Sequence, residues 1–158
     1  GPLTNPAGAK RQVIGVFDAQ YTELLATALQ TLGSEHALVV HGLVGMDELS
    51  TCGDNQVTEL RAGSIHSALW SPEQFGLAPA RLEDLAGGDP EQSAAMLLEV
   101  LEGQPGPRRD IVVFNAAAAI YVGGRAADMQ EAIALAEESI TSGAAAGKLA
   151  ALREMSRG

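Results

Sequence analysis

The sequence contains little cysteine, few aromatic residues and no long uninterrupted apolar run. Cys52 is its one cysteine, which excludes a disulfide within the chain and fits a reducing compartment. Aromatic residues make up 4% of the 158 residues, so small and aliphatic side chains must fill the core. The longest apolar candidate, residues 111–122, contains Asn115 and falls short of the roughly 18 apolar residues of a transmembrane helix. No signal peptide is visible, and we expect a cytoplasmic protein with no membrane partner.

Positive charge is also scarce. The chain has 10 Lys and Arg residues against 20 Asp and Glu residues, and its net charge is −10. Proteins that bind nucleic acid or anionic membranes need clustered basic residues, so this balance argues against both partners. A length of 158 residues fits one ordinary domain, and no internal repeat divides it.

The order of the apolar segments predicts an α/β fold. Residues 12–17 and 37–40 are rich in β-branched and aliphatic residues and indicate strands. Between them, residues 19–32 show helical spacing, with Asp18 as the expected N-cap and Leu24, Leu25, Ala28, Leu29 and Leu32 as one apolar stripe. A strand, a helix and a strand with short links form a βαβ unit, so we expect a mostly parallel sheet with flanking helices. Further strands are predicted at 56–60 and 65–70, a loop at 82–88, and helices at 89–101, 111–122, 128–142 and 144–155.

An acidic pair, Asp47-Glu48, lies in the glycine-punctuated stretch HGLVGMDELS directly after the predicted strand 37–40. Loops at the carboxyl ends of such strands are where α/β proteins bind ligands. Mg²⁺ is usually held by one or two carboxylates together with phosphate oxygens. The pair is therefore a candidate magnesium site, and a solvated acidic turn is the alternative.

The remaining polar candidates favour structural roles. His36, His41 and His66 do not have the spacing of metal ligands; we expect His41 to be structural and the other two to be at the surface or partly packed. Asn115 lies among apolar residues, and a buried amide must be hydrogen-bonded, so it should pin neighbouring backbone. The Arg108-Arg109 step beside Pro107 is expected to be solvated.

Five segments carry a resemblance to a known family. GPLTNPAGAKRQVIGV, HGLVGMDELS, SPEQFGL, RRDIVVFNAAAAIYVGG and ITSGAAAGKLAAL occur in the order found in anthranilate phosphoribosyltransferases. The chain resembles that family over essentially its whole length, and GPLTNP together with GMDE is a specific combination. The resemblance implies part of a nucleoside phosphorylase/phosphoribosyltransferase-like C-terminal α/β domain. The wider nucleoside phosphorylase group shares the fold but matches these motifs poorly.

The resemblance also implies a reaction and site residues. The family transfers the phosphoribosyl group of phosphoribosyl pyrophosphate to the amino group of anthranilate, with release of pyrophosphate, in tryptophan biosynthesis. Asp47 and Glu48 correspond to the acids that bind Mg²⁺ with the pyrophosphate group. Gly1 and Pro2 correspond to anthranilate contacts, and residues 3–6 to a loop near the hinge. No catalytic residue is assigned, and Val44 stands where many members carry an acid.

The family's helical domain and glycine-rich phosphate loop lie upstream of GPLTNP and have no counterpart here. The resemblance therefore implies that residues 1–158 are the C-terminal part of the α/β domain, inactive alone, from a parent that forms a homodimer. Two alternatives stay open. One is a related phosphoribosyltransferase-fold protein with another acceptor, and the other is a non-catalytic interaction module.

Overall fold

A parallel βαβ unit begins the fold, as the sequence predicts. In the computed structural model, which describes residue 3 and residues 5–156, strand β1 (Arg11–Gly15) leads into helix α1 (Tyr21–Thr31) and then into strand β2 (His36–Gly42). β1 and β2 pair in parallel, with Ile14 opposite Val39. Every residue of β2 is buried, because the strand lies inside the sheet and is covered on both faces.

Helix α1 departs from the prediction at its start and along its apolar face. Asp18 is not the N-cap; its side chain accepts a hydrogen bond from the Gln20 backbone N–H (3.0 Å) in a turn before the helix. The residues that face the sheet are Thr22, Ala26 and Leu29, whereas Leu24 and Leu32 of the predicted stripe are 62% and 55% exposed. Leucines surround much of this helix, so residue type alone did not define the buried face.

The sheet is mixed, which corrects the prediction of a mostly parallel sheet. Its four strands lie in the order β1-β2-β3-β4, where β3 is Asn55–Arg61 and β4 is Ser64–Trp70. β3 pairs antiparallel with both β2 and β4. A parallel neighbour needs a long crossover, usually a helix, and residues 43–54 between β2 and β3, all of them described, contain none. Ala62 and Gly63 form the β3–β4 turn with positive φ angles of 49° and 78°, as two-residue hairpins require.

The second half of the chain is helical. The prediction that residues 111–122 form a helix despite their β-branched start is confirmed, and the helix begins earlier, at Pro107. Asp89 and Asp128 cap two of the helices, since each side chain accepts a backbone N–H bond from the first turn. A short 3₁₀ helix at Pro72–Phe75 follows β4, and another at Leu82–Leu85 replaces part of the predicted loop. The helices are α2 (Pro90–Leu101), α3 (Pro107–Val122), α4 (Met129–Thr141) and α5 (Ala144–Met155).

Alternation along β2 creates two cores. Leu38 and Val40 pack with residues of α3 and α4, whereas Ala37 and Val39 pack with Ala26 and Leu29 of α1. Successive side chains of a strand point to opposite faces, so the sheet lies between α1 on one side and the α3–α4 pair on the other. Within the described part of the chain, no helix has the length and apolar character needed to cross a bilayer.

Candidate metal site

The loop after β2 carries the acidic pair in a fixed turn. Gly42 and Met46 form an isolated β-bridge, with N–H to carbonyl distances of 2.8 Å and 3.1 Å. The Leu43 N–H donates to the Asp54 carbonyl at 2.9 Å, which ties the turn to the residue before β3. Asp47 and Glu48 follow at once, so they lie at the carboxyl end of the buried strand, as the sequence predicts.

Two glycines let the backbone of the acidic pair approach the sheet. A Cβ atom on Gly15 of β1 would lie 2.5 Å from the Asp47 carbonyl carbon and closer still to its oxygen. A Cβ atom on Gly42 would lie 2.9 Å from the Ser50 Cβ and 3.2 Å from the Glu48 carbonyl oxygen. Side chains at these positions would push the loop away, so glycine is required by close approach.

The two carboxylates suit a hard divalent cation. Asp47 and Glu48 are exposed, and neither side chain makes a hydrogen bond or ion pair with another described residue. No group of three or more His, Cys, Asp or Glu residues in the described part of the chain could enclose a metal. Mg²⁺ usually keeps several waters and takes one or two protein carboxylates plus phosphate oxygens, so two free carboxylates fit it without a third. Mg²⁺ binding here stays a prediction.

Asn115 of α3 anchors the residue that follows the pair. Its Oδ1 accepts from the Leu49 N–H at 3.0 Å, and its Nδ2 donates to the Leu49 carbonyl at 2.8 Å. Nδ2 also donates to the Ile111 carbonyl at 3.0 Å. The prediction that this amide pins neighbouring backbone is confirmed.

Asn55, which the sequence analysis did not single out, anchors the next residue. It is the first residue of β3, its side chain is buried, and its Oδ1 accepts from the Ser50 N–H at 2.6 Å. Its Nδ2 lies within hydrogen-bond distance of the carbonyls of Ser50 (3.0 Å), Gly53 (3.2 Å) and Trp70 (3.1 Å). An asparagine at a strand's first position is also typical of an ordinary turn, so sequence offered little signal for this role.

An apolar groove of about 480 Å³ lies beside Glu48, between α2, α3 and α5. Met96, Leu97, Ile111 and Val112 line it, and Arg108 borders it. Arg108 is partly buried and donates to the Ala86 carbonyl at 3.1 Å, while its Nε finds no partner among the described residues. The prediction that this arginine is solvated is therefore wrong.

Arg109 is likewise not solvated. Its side chain is 16% exposed and pairs with Glu137 of α4 at 3.2 Å and with Asp110 at 3.6 Å. Burial raises the pKa of the Asp110 carboxyl; the Arg109 charge opposes this rise and the Glu137 charge adds to it. Arg109 thus joins the first turn of α3 to α4.

Two of the three histidines are buried and hydrogen-bonded. His41 is buried and donates from Nδ1 to the Val16 carbonyl at 2.8 Å, in agreement with its predicted structural role. His36, expected at the surface or partly packed, is buried at the far end of β2, where its Nε2 lies 2.8 Å from Glu59 Oε1. The neighbours Glu59 and Tyr121 account for this burial. The Tyr121 hydroxyl donates to the same Glu59 oxygen at 2.7 Å, so the three side chains form one hydrogen-bonded cluster. His66 is exposed.

The predicted anthranilate contacts, Gly1 and Pro2, lie outside the described residues. Leu3 is a described residue, and it packs against the core cluster that contains Ala26 and Leu29 of α1. The structure thus brings Asp47 and Glu48 together with their backbone anchors, and the acceptor side of the proposed site stays a prediction.

Comparison with known proteins identifies relatives along the whole chain. The anthranilate phosphoribosyltransferase of Methanococcoides burtonii is 52% identical over 158 residues, which are 100% of this chain and 44% of the relative. That of Parvibaculum lavamentivorans is 52% identical over 96% of this chain and 45% of its own length. The resemblance inferred from the motifs is confirmed, and the chain spans less than half the length of these relatives.

Solved structures agree with the fold. The crystal structure of anthranilate phosphoribosyltransferase from Thermus thermophilus superposes with a TM-score of 0.82 at 44% identity, over 90% of this chain and 42% of that one. The Saccharomyces cerevisiae enzyme in complex with phosphoribosyl pyrophosphate and Mg gives a TM-score of 0.77 at 30% identity, with the same coverage. Residues 1–146 match the family described as glycosyl transferase family, a/b domain, and the chain belongs to that family.

Proposed function

We propose that this chain carries the Mg²⁺-pyrophosphate half of an anthranilate phosphoribosyltransferase active site. The observation that carries the proposal is a pair of exposed carboxylates, Asp47 and Glu48, which have no partner among the described residues and lie at the carboxyl end of a buried strand. The named relatives support it, as does the yeast enzyme solved with phosphoribosyl pyrophosphate and Mg and, separately, with 4-fluoroanthranilate.

The proposed reaction is a displacement at C1 of the ribose. The amino nitrogen of anthranilate bonds to C1 while the C1–O bond to pyrophosphate breaks, and the amine then gives up a proton. Negative charge grows on the departing pyrophosphate, and stabilising such developing charge is a main source of catalysis. A bound Mg²⁺ would neutralise this charge as a Lewis acid.

Charge explains why the acidic pair requires a cation in this role. Asp47 and Glu48 present two carboxylates on an exposed loop of a chain whose net charge is −10. Pyrophosphate is repelled by such a surface unless a divalent cation lies between them. The carboxylates would hold the cation, and the fixed loop backbone would set its position against the sheet.

The rest of the proposed site lies in the part of these relatives that this chain does not cover. The chain covers 44% of its Methanococcoides burtonii relative, and the resemblance places the family's glycine-rich phosphate loop outside the matched part. We therefore expect the 158-residue polypeptide alone to be inactive, and robust turnover by it would contradict this. Anthranilate contact by Gly1 and Pro2, a homodimeric full-length parent and a cytoplasmic location belong to the same proposal. Another acceptor, or a non-catalytic role, has no specific observation in its favour.

The experiment is charge removal at the pair in a full-length parent. Asp47→Asn and Glu48→Gln keep the side-chain size and remove the ligand charge. Loss of groups that merely support metal ligands costs about 10- to 100-fold, so kcat/KM should fall by about 100-fold or more in each variant. Glu23→Gln on the exposed first turn of α1 is the matched control and should stay near wild type. Near-normal turnover of the paired variants at limiting Mg²⁺ would refute the assignment.

A further inference from the structure

The residues directly after the acidic pair are held more firmly than an exposed loop requires. Leu49 and Ser50 are consecutive, and each has both its backbone N–H and its carbonyl bonded to an asparagine amide. The two amides come from different elements, since Asn115 belongs to α3 and Asn55 to β3. Two consecutive residues of the loop are thus joined to a helix and to a strand.

The residues before the pair are fixed as well. Met46 is bridged to Gly42 by two backbone hydrogen bonds, and the Asp47 carbonyl lies against Gly15. Asp47 and Glu48 therefore occupy a short segment between two hydrogen-bonded points, while their carboxylates are exposed and bond no other side chain or backbone group in the described part of the chain. A ligand set held in its binding geometry loses less conformational freedom when it binds, which raises affinity.

We propose that Asn115 is a positioning residue that, together with Asn55, sets the cation affinity of the acidic pair without touching the cation. The inference rests on the proposed function, because it concerns the same Mg²⁺ site. The Asn115 amide accepts from the Leu49 N–H and donates to the Leu49 carbonyl, so no aliphatic or carboxylate side chain can replace it. A residue with a purely structural role would change stability and leave the cation requirement unchanged.

The test compares two α3 variants in a full-length parent. Asn115→Ala removes the Leu49 anchor, and Val113→Ala, at a fully buried neighbour in the same core cluster as Leu49, weakens α3 packing and leaves both Asn115–Leu49 hydrogen bonds in place. Mn²⁺ binding in the presence of pyrophosphate is measured by electron paramagnetic resonance, the Mg²⁺ dependence of turnover by titration, and stability by thermal denaturation. Asn115→Ala should weaken cation affinity by about 10- to 100-fold, and excess Mg²⁺ should restore most of kcat. Val113→Ala should have a lower melting temperature than wild type and the same cation affinity.

The results separate failure of the positioning role of Asn115 from failure of the proposed function. Equal cation affinity in Asn115→Ala and wild type, with binding lost in Asp47→Asn and Glu48→Gln, overturns the positioning role and leaves the proposed function standing. Equal losses in Asn115→Ala and Val113→Ala overturn it too, because the effect then follows stability. Unchanged binding in the two acidic variants overturns the proposed function and the inference together. If Asn115→Ala does not fold, Asn115→Ser, which puts one hydroxyl in place of the amide, replaces it and should give a smaller affinity loss in the same direction.

Discussion

Gly15 of β1 is in close backbone contact with the carbonyl group of Asp47. A Cβ atom at position 15 would come within 2.5 Å of the Asp47 carbonyl carbon and 3.4 Å of its Cα. Strand β1 thus contacts the backbone of Asp47, the first acid of the candidate metal site, through a residue without a side chain. Position 15 belongs to the site although its residue has no side chain.

A methyl group at position 15 should therefore displace the acidic pair. Gly15→Ala is expected to destabilise the fold by about 1–3 kcal/mol, as overpacking does, and to raise the Mg²⁺ concentration needed for half-maximal turnover of a full-length parent. Thermal denaturation and a Mg²⁺ titration of activity measure the two effects.

Gly147→Ala is the matched control for that variant. A Cβ atom on Gly147 of α5 meets no atom within 4 Å, and alanine is the better helix former. This variant should gain about 0.5–1 kcal/mol of stability and keep its Mg²⁺ dependence. A Gly15→Ala protein that behaves like Gly147→Ala would contradict the close approach.

The Tyr121 hydroxyl should contribute measurably to stability. It donates to Glu59 Oε1 at 2.7 Å and accepts from Arg61 at 2.8 Å, so it links α3 to β3. Tyr121→Phe is expected to cost about 0.5–1.5 kcal/mol in chemical denaturation. Tyr21→Phe, whose hydroxyl makes no hydrogen bond with another described residue, should change stability by less than about 0.5 kcal/mol. Equal effects of the two variants would contradict the link.

The same tyrosine predicts a loss of stability in alkali. Burial raises the pKa of Tyr121 above its usual 10.0, and the hydrogen bond to the Glu59 carboxylate raises it further. The unfolded chain then releases this proton at a lower pH than the folded chain does. The contribution is complete below about pH 10 and disappears as pH rises through the folded-state pKa. Wild type should lose more stability above pH 10 than Tyr121→Phe, and parallel curves would argue against the raised pKa.

Asp110 and Asp84 should respond to pH in opposite directions. Burial raises the Asp110 pKa above 3.8, so its stability contribution is present below that value and is lost as pH rises through the folded-state pKa. The effect of Asp110→Asn on the free energy of unfolding should therefore be more stabilising at pH 7 than at pH 3.5. The hydrogen bonds from Arg81 hold the pKa of Asp84 below 3.8, so its contribution is present above that value. Asp84→Asn should thus be less favourable at pH 7, and melting temperatures across this range test both signs.

Much of the first half of the fold follows from local patterns. The sequence predicts the βαβ unit, the acidic loop after β2 and the two strands near 56–60 and 65–70, because alternation and turn residues act over a few neighbours. Asn115 was predicted to pin backbone because burial of an amide compels hydrogen bonding. Its partner Leu49 could not be predicted, because the two residues are far apart in the sequence.

The errors have a common physical origin in tertiary contacts. The direction of β3 depends on the link from β2, residues 43–54, which contains no helix, and residue types did not reveal this. Arg109 is buried because Glu137 of α4 faces it, and His36 because Glu59 and Tyr121 do. In α1, leucines cover more of the helix than the sheet can bury, so the sheet selects Ala26 and Leu29 and leaves Leu24 outside.

The asparagine anchors also decide which charge the loop can recognise. The N–H groups of Leu49, Ser50 and Cys52 all donate within the protein, to Asn115, Asn55 and the Ser50 hydroxyl. Phosphate is commonly gripped by rows of free backbone N–H groups, and at these three residues none is available. These three N–H groups are therefore closed to a phosphate, whereas the exposed carboxylates of Asp47 and Glu48 present anionic oxygens that attract cations.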